Sequence, residues 1–133
     1  MSDPIFHLLS GVPTPVAPYS HAVRVGDWLL VTGQLPINPE REGDPLPAGI
    51  EAQTRLTFAN LERVLAAVDY RLEHVVSARV FLARFQRDYE AMNRVYETYF
   101  ASGRRPARTC VGVTDLARDA LVEIDLIAYR AAP

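Results

Sequence analysis

Residues 121–129, LVEIDLIAY, constrain the possible folds of this chain more than any other segment. The segment has the composition of a β-strand, and apolar side chains occupy both alternating sets of positions. Val122, Ile124 and Leu126 share one face, whereas the opposite face carries Glu123 and Asp125 beside further apolar residues. A sheet built on this strand is therefore apolar on both faces, and both need to be covered.

The predicted elements follow the order β-β-α-β-α-β-β. Residues 50–68 and 86–101 repeat apolar side chains at spacings of three and four, which predicts two amphipathic helices. Residues 1–20 and 36–49 are rich in proline and are predicted to be extended or looped, with any early strand short. The β-rich runs are residues 22–32 (a hairpin turning at Gly26-Asp27), 74–85, 109–113 and 121–129.

Two helices are too few to cover both faces of such a sheet. Neither helix is apolar all round, so both are expected to pack on one face. The second apolar face would be buried most simply against other copies of the chain, which predicts a homo-oligomer. A length of 133 residues is usual for one domain, and we expect residues 1–133 to form one.

The composition excludes several classes of protein. All 14 basic residues are arginine, so no lysine is present to form a Schiff base, anchor pyridoxal phosphate or complete a phosphate-binding loop. The net charge of −2, with only Arg104-Arg105 as a short basic pair, argues against nucleic acid. No apolar run approaches the roughly 20 residues that span a bilayer, and the first residues do not resemble a secretory signal. One cysteine permits no internal disulfide, and we expect a cytoplasmic protein.

Common catalytic motifs are also missing. His7, His21 and His74 have no metal-ligand spacing, so no metal site is predicted. No serine lies in a GxSxG motif. A nucleophilic role for Cys110 stays open, because it depends on residues that lie near it only in the folded chain.

Arg108 and Glu123 are the remaining candidates. Arg108 lies in PARTC, directly before an apolar strand. The carboxylate could simply face solvent. Alternatively, the arginine could hold an anionic substrate beside a carboxylate that activates water. Sequence spacing does not choose between these interpretations.

Several motifs together resemble the RidA/YjgF family of enamine/imine deaminases. They are APYSHAV, VTGQLPINP, AQTRLTFANLERVL, VFLARFQRDYEAMNRVY, PARTCVGV and VEIDLIA, in this order over residues 13–129. The resemblance implies a chorismate-mutase-like α+β fold and a homotrimer with clefts between subunits. It also implies hydrolysis of 2-imino or 2-enamino acids, such as 2-iminopropanoate and 2-iminobutanoate, to 2-oxo acids and ammonia without a cofactor.

The resemblance assigns roles to individual residues. Arg108 matches the arginine that pairs with the substrate carboxylate, and Glu123 matches the acid that orients the attacking water. Cys110 matches a cysteine whose backbone lines the site, so its thiol need not react. Tyr19 and Asn93 match residues that shape the cleft.

Gly33 matches a glycine whose backbone closely approaches the ligand. Several neighbouring positions depart from the family pattern and leave the substrate range open. They are His21, Gly112, Asp69-Tyr70 and the loop 40–49.

Two other functions compete with deamination. One is a non-catalytic trimer that binds 2-oxo acids or regulates through the same cleft, and the retained Arg108 and Glu123 argue against it. The other is a ribonuclease or translation inhibitor, which the acidic charge balance disfavours.

Overall fold

The structure, a computed structural model, describes residues 3–132. Six strands and two α-helices follow the order β-β-β-α-β-α-β-β, with short 3₁₀ turns between some of them. The elements are β1 (Ile5–His7), β2 (Ala22–Val25), β3 (Trp28–Gln34), α1 (Ile50–Ala67), β4 (Val75–Leu82), α2 (Phe85–Tyr96), β5 (Ala107–Gly112) and β6 (Val122–Tyr129). This is the predicted order, with the short early strand added as β1.

All six strands form one mixed sheet in the order β1-β2-β3-β6-β4-β5. The β4–β5 pair is parallel and α2 connects its strands, whereas the other neighbours are antiparallel. The C-terminal strand β6 therefore lies between β3 and β4 near the centre of the sheet, and β5 forms one edge. The predicted α+β architecture is confirmed.

Both helices pack on the same face of the sheet, as the two amphipathic patterns predicted. Phe58, Leu61 and Leu65 of α1 are fully buried in one cluster with Ile124 and Leu126 of β6. Burial of each such side chain stabilises the folded state by about 1.5–3 kcal/mol. The apolar stripe on α1 therefore fixes which face of β6 points inward.

Helix α2 is shorter than predicted. It ends at Tyr96 and continues as a 3₁₀ turn, Glu97–Tyr99, rather than as α-helix to residue 101. The tighter turn places the Tyr99 ring flat on Phe58 of α1, with centroids 4.2 Å apart. Side-chain packing between the two helices thus overrides the local helical pattern at this end.

Two buried polar side chains of α1 position the strands that carry the candidate site. The Asn60 amide donates hydrogen bonds to the carbonyls of Leu35 (3.0 Å) and Ile37 (2.8 Å), just after β3. Gln53 Oε1 accepts the backbone N–H of Leu121 (2.8 Å), just before β6. The end of β3 and the start of β6 are thereby held against the same helix.

The second face of the sheet, which we call the open face, is uncovered within the described chain. Its exposed apolar residues include Trp28 (47% exposed), Leu30 (45%) and Tyr129 (41%). The rings of Trp28 and Tyr129 contact each other with centroids 4.9 Å apart. The two-sided apolar sheet predicted from the sequence is therefore present. Among the described residues, no helix is both long and apolar enough to cross a membrane.

Candidate functional site

Glu123 lies on the open face of β6, directly beside Gly33 of β3. The β3–β6 pairing is irregular between Val31 and Gln34, and Gly33 sits in this interval. A Cβ atom added at Gly33 would overlap the Glu123 carboxylate. Glycine leaves room for the carboxylate against the β3 backbone, and a larger residue here would displace that carboxylate.

The surroundings of Glu123 favour its protonated form more than water does. Its side chain is partly buried, and burial raises the pKa of the carboxyl group above its ordinary value. The nearby Asp125 carboxylate raises that pKa further. A glutamate in this position is better suited to exchanging protons near neutral pH than an exposed one.

Tyr19 approaches the same region from the N-terminal segment. It lines two adjoining depressions together with Gly33, and the larger one, on the open face, has a volume of about 490 Å³. The Tyr19 hydroxyl accepts a hydrogen bond from the backbone N–H of Val16 (3.1 Å), which folds this segment back on itself. Tyr19, Gly33 and Glu123 form what we call the carboxylate cluster.

His21 anchors the segment that carries Tyr19. The ring is buried, its Nδ1 accepts the N–H of Leu9 (2.8 Å), and its Nε2 lies 2.8 Å from the carbonyl oxygen of Pro13. An acceptor at Nδ1 and a donor at Nε2 define a neutral imidazole with the proton on Nε2. His21, a departure from the family pattern, thus lies buried at the wall of the smaller depression and holds the N-terminal segment in place through both ring nitrogens.

Arg108 belongs to a second group of side chains, at the edge strand β5 and on the helix-covered face. Its guanidinium donates hydrogen bonds to Asn93 Oδ1 (2.7 Å) and to the Tyr89 hydroxyl (3.3 Å) of α2. It also lies over the Tyr96 ring, 4.8 Å from the centroid. All of these partners are neutral, so they orient the guanidinium without neutralising its charge. We call these residues, with Cys110, the arginine cluster.

Cys110 is two residues further along β5 and half-buried against the core. Burial raises the pKa of its thiol, and the neighbouring Arg108 lowers it by a smaller amount. The thiol is therefore less prone to ionise than a free cysteine, whereas catalytic cysteines have lowered pKa values. This environment disfavours the nucleophilic interpretation. Gly112, on the same strand, lets β5 approach α2, since a Cβ there would lie 3.0 Å from Phe85 Cβ.

The two clusters do not meet within one chain. Glu123 pairs with Phe81 on β4, and Phe81 pairs with Val111 on β5, three residues beyond Arg108. The two residues are thus two strand spacings, about 10 Å, apart across the sheet and about 10 Å apart along it. Their side chains also point to opposite faces. A small substrate cannot contact both residues of one chain.

The structure groups the predicted residues in two sets of three. Gly33 lies against Glu123 and shares two depressions with Tyr19, whereas Arg108 contacts Asn93 and is followed on β5 by Cys110. Tyr89 and Tyr96, which hold Arg108, were predicted only as part of an apolar stripe on the second helix. Their spacing from Asn93, four residues before and three after, places all three on one helix face. That spacing was the available signal for a polar contact. Within residues 3–132, no three His, Cys, Asp or Glu side chains form a metal-binding group.

The fold and the site define an α+β protein with an uncovered apolar sheet face and two separated polar clusters. The family model described as Endoribonuclease L-PSP matches residues 10–130. The chain therefore belongs to this family, also called the RidA/YjgF/RutC family. A RutC family protein of Pyrococcus horikoshii is 38% identical over 130 residues, which cover 98% of this chain and 99% of the relative.

Two further relatives carry chemical information in their names. The 2-iminobutanoate/2-iminopropanoate deaminase of Escherichia coli is 32% identical over 120 residues, covering 89% of this chain and 91% of that protein. The crystal structure of Escherichia coli TdcF with bound serine superposes with a TM-score of 0.86 at 27% identity, covering 96% and 99% of the two chains. The fold is thus that of solved members of the family.

Proposed function

We propose that this protein hydrolyses 2-imino and 2-enamino acids, such as 2-iminopropanoate and 2-iminobutanoate, to 2-oxo acids and ammonia, in clefts between the subunits of a homotrimer. The observation that carries the proposal is the division of the site. One chain presents an oriented guanidinium without an anionic partner in its cluster and, elsewhere, a carboxylate suited to proton exchange. Packing edge strand β5 of one copy onto the open face of the next would unite the two.

The residue types fit the chemistry of this reaction. The guanidinium of Arg108 pairs with the substrate carboxylate through two hydrogen bonds. The Glu123 carboxylate accepts a proton from water as the water oxygen bonds to the imine carbon. The resulting carbinolamine loses ammonia with return of that proton, leaving the 2-oxo acid. One water is consumed for each C=N bond replaced by C=O, and neither a redox change nor a covalent enzyme intermediate is needed.

The relatives support this substrate class. The name of the Escherichia coli relative states deamination of 2-iminobutanoate and 2-iminopropanoate. The solved relative TdcF holds serine, which, like 2-iminopropanoate, is a three-carbon carboxylate with nitrogen on its second carbon. The family's description also includes endoribonuclease. We do not propose that activity here, because the net charge is −2 and no extended basic patch was found in the sequence. A cytoplasmic location stays a prediction.

Ammonia release from freshly generated 2-iminopropanoate tests the proposal. An amino-acid oxidase can generate the imine in the assay, and the rate above spontaneous hydrolysis is measured. Glu123→Gln keeps the shape of the side chain but removes the base, so turnover should fall by roughly 10²- to 10⁴-fold. Glu62→Gln, an exposed carboxylate on α1, is the matched control and should retain full activity.

Cys110→Ala separates this mechanism from a nucleophilic one. The backbone of β5 survives the change, so activity should fall only slightly. Loss of activity in Cys110→Ala with activity retained in Glu123→Gln would contradict the mechanism. Binding of 2-oxo acids without any ammonia release would instead support the non-catalytic alternative.

A further inference from the structure

A two-residue ion pair lies on the open face beside Glu123. Arg79 of β4 and Asp125 of β6 are directly opposed in the sheet register. The Arg79 guanidinium donates from Nε to Asp125 Oδ1 (3.0 Å) and from Nη2 to Oδ2 (2.6 Å), so the pair is bidentate. Asp125 is two residues from Glu123 on the same strand, and both side chains point to the open face.

The charged surroundings of Glu123 are simple. On its own strand the nearest charge is Asp125, and β4 contributes Arg79, with uncharged Phe81 directly opposite Glu123. Strand β3 contributes no charged residue, and its Leu30, Thr32 and Gly33 line the depression on this side. The N-terminal segment adds one titratable group, the Tyr19 phenol, and the helices pack on the other face.

We propose that Arg79 is a positioning residue for Glu123. By holding Asp125 in a bidentate pair, Arg79 fixes the Asp125 carboxylate and offsets its negative charge next to the catalytic carboxylate. This sets the pH range in which Glu123 accepts a proton. This inference rests on the proposed function, because it assigns Arg79 and Asp125 to the hydrolysis that Glu123 would carry out. Neither residue needs to touch the substrate.

The sign of the effect follows from Coulomb's law. Asp125 raises the pKa of Glu123. A cation paired with Asp125, as Arg79 is, acts in the opposite direction. Without Arg79, the Asp125 charge is uncompensated, so Glu123 should hold its proton to higher pH. Without Asp125, the Arg79 cation remains alone, so Glu123 should lose its proton at lower pH. Covering the open face with a second copy would exclude water and strengthen both effects.

The pH dependence of kcat/KM in the full-length protein tests this arrangement. The acidic limb of the profile should move to higher pH in Arg79→Met and to lower pH in Asp125→Asn, each by roughly 0.5–1 pH unit. The double variant should lie between the two single variants. Arg71→Met removes the arginine of another exposed ion pair, Arg71–Glu73, and should leave the limb in place.

The decisive feature is that the acidic limbs of Arg79→Met and Asp125→Asn move in opposite directions. Loss of structure would lower activity without separating the acidic limbs of these two variants. If both limbs stay in place, or both move in the same direction, the inference is overturned. Arg79→Lys keeps the positive charge but loses the bidentate fork, so its limb should stay nearer to that of the unmodified protein than the limb of Arg79→Met. Asp125→Asn, which keeps the shape of the side chain, tests the inference even if Arg79→Met does not fold.

A second measurement separates this inference from the proposed function. Titration of the Glu123 carboxyl carbon by NMR, assigned by comparison with Glu123→Gln, reports its protonation without any turnover. The same opposite displacements in a protein that releases no ammonia would overturn the proposed function but support the charge coupling. Normal turnover with an unmoved Glu123 titration would overturn the coupling alone.

Discussion

At the scale of single residues, Arg108 is held by neutral groups that leave its charge available. Asn93 and Tyr89 accept its hydrogen bonds and Tyr96 lies against its flat face. This arrangement explains why an arginine stands at the start of an edge strand. It is neither free in solvent nor paired with a carboxylate in these contacts, and it is oriented before any anion arrives.

Removal of this charge should weaken the use of anionic substrates. We expect Arg108→Ala to lower kcat/KM for a 2-imino acid by roughly 30- to 1000-fold, equivalent to about 2–4 kcal/mol. Arg108→Lys should recover only part of the loss, because an ammonium cannot form the same fork. An imine without a carboxylate is the control substrate. Equal losses on both substrates would show that Arg108 has a structural role instead.

Gly33 provides a second test at the residue scale. In Gly33→Ala the new methyl group would displace the Glu123 carboxylate, so activity should fall by roughly 10-fold or more while the protein stays folded. Gly43→Ala is the matched control, because its Cβ would meet no atom within 4 Å and its backbone is not left-handed. Steady-state kinetics with circular dichroism compares them. Full activity in Gly33→Ala would contradict the placement of Glu123.

At the scale of elements, the loop 36–49 holds the segment that carries Tyr19. The Glu42 carboxylate accepts hydrogen bonds from the backbone N–H and the hydroxyl of Thr14, both at 3.0 Å. Arg118 in turn donates to the carbonyl oxygen of Glu42 (2.9 Å). The loop with the unusual sequence therefore connects the N-terminal segment to the turn before β6.

Loss of the Glu42 contacts should loosen one wall of the carboxylate cluster. We expect Glu42→Ala to raise KM by roughly 2- to 10-fold with a smaller change in kcat, since exposed contacts contribute about 1 kcal/mol. Glu40→Ala removes another exposed glutamate from the same loop and is the control. A fall in kcat at unchanged KM would place Glu42 in the chemical step and contradict this account.

The elements were predictable where one local pattern dominates. Local patterns correctly predicted α1 from its apolar stripe, the hairpin from the Gly26-Asp27 turn, and β6 from its alternation. The alternation also placed Glu123 on the face of β6 opposite to that of Ile124. The predicted end of α2 was wrong because the stacking of Tyr99 on Phe58, rather than the local helical pattern, decides where the helix ends. The irregular β3–β6 pairing at Gly33 depends on a strand 90 residues away, so no local pattern reports it.

The resemblance proposes residue types for the candidate site, but the sequence does not predict the geometry of those residues. The resemblance assigned Arg108 and Glu123 to one site, yet the faces on which they lie depend on the β4–β5 and β4–β6 registers. Registers between distant strands are set by the whole sheet and not by either strand alone. The Arg79–Asp125 pair was missed for the same reason, since its partners are 46 residues apart.

At the scale of the whole molecule, an assembly of identical copies would account for both the uncovered apolar face and the separated clusters. A closed ring of identical copies would bury the open face and place β5 of each copy against the carboxylate cluster of its neighbour. The expected trimer has a mass of three chains of 14.8 kDa. A stable monomer at micromolar concentration in sedimentation would remove the basis for a shared site.

Complementation between two inactive variants tests the shared site most directly. Arg108→Ala and Glu123→Gln are co-expressed with different tags, mixed trimers are allowed to form at random, and ammonia release from 2-iminopropanoate is measured. A cleft that takes Arg108 from one copy and Glu123 from the next is intact in about one quarter of cases in an equal mixture. The account therefore predicts recovery of about a quarter of the unmodified activity. The account would be contradicted if trimers shown to be mixed were no more active than the separate variants. That result would mean that no cleft combines the two residues from different copies.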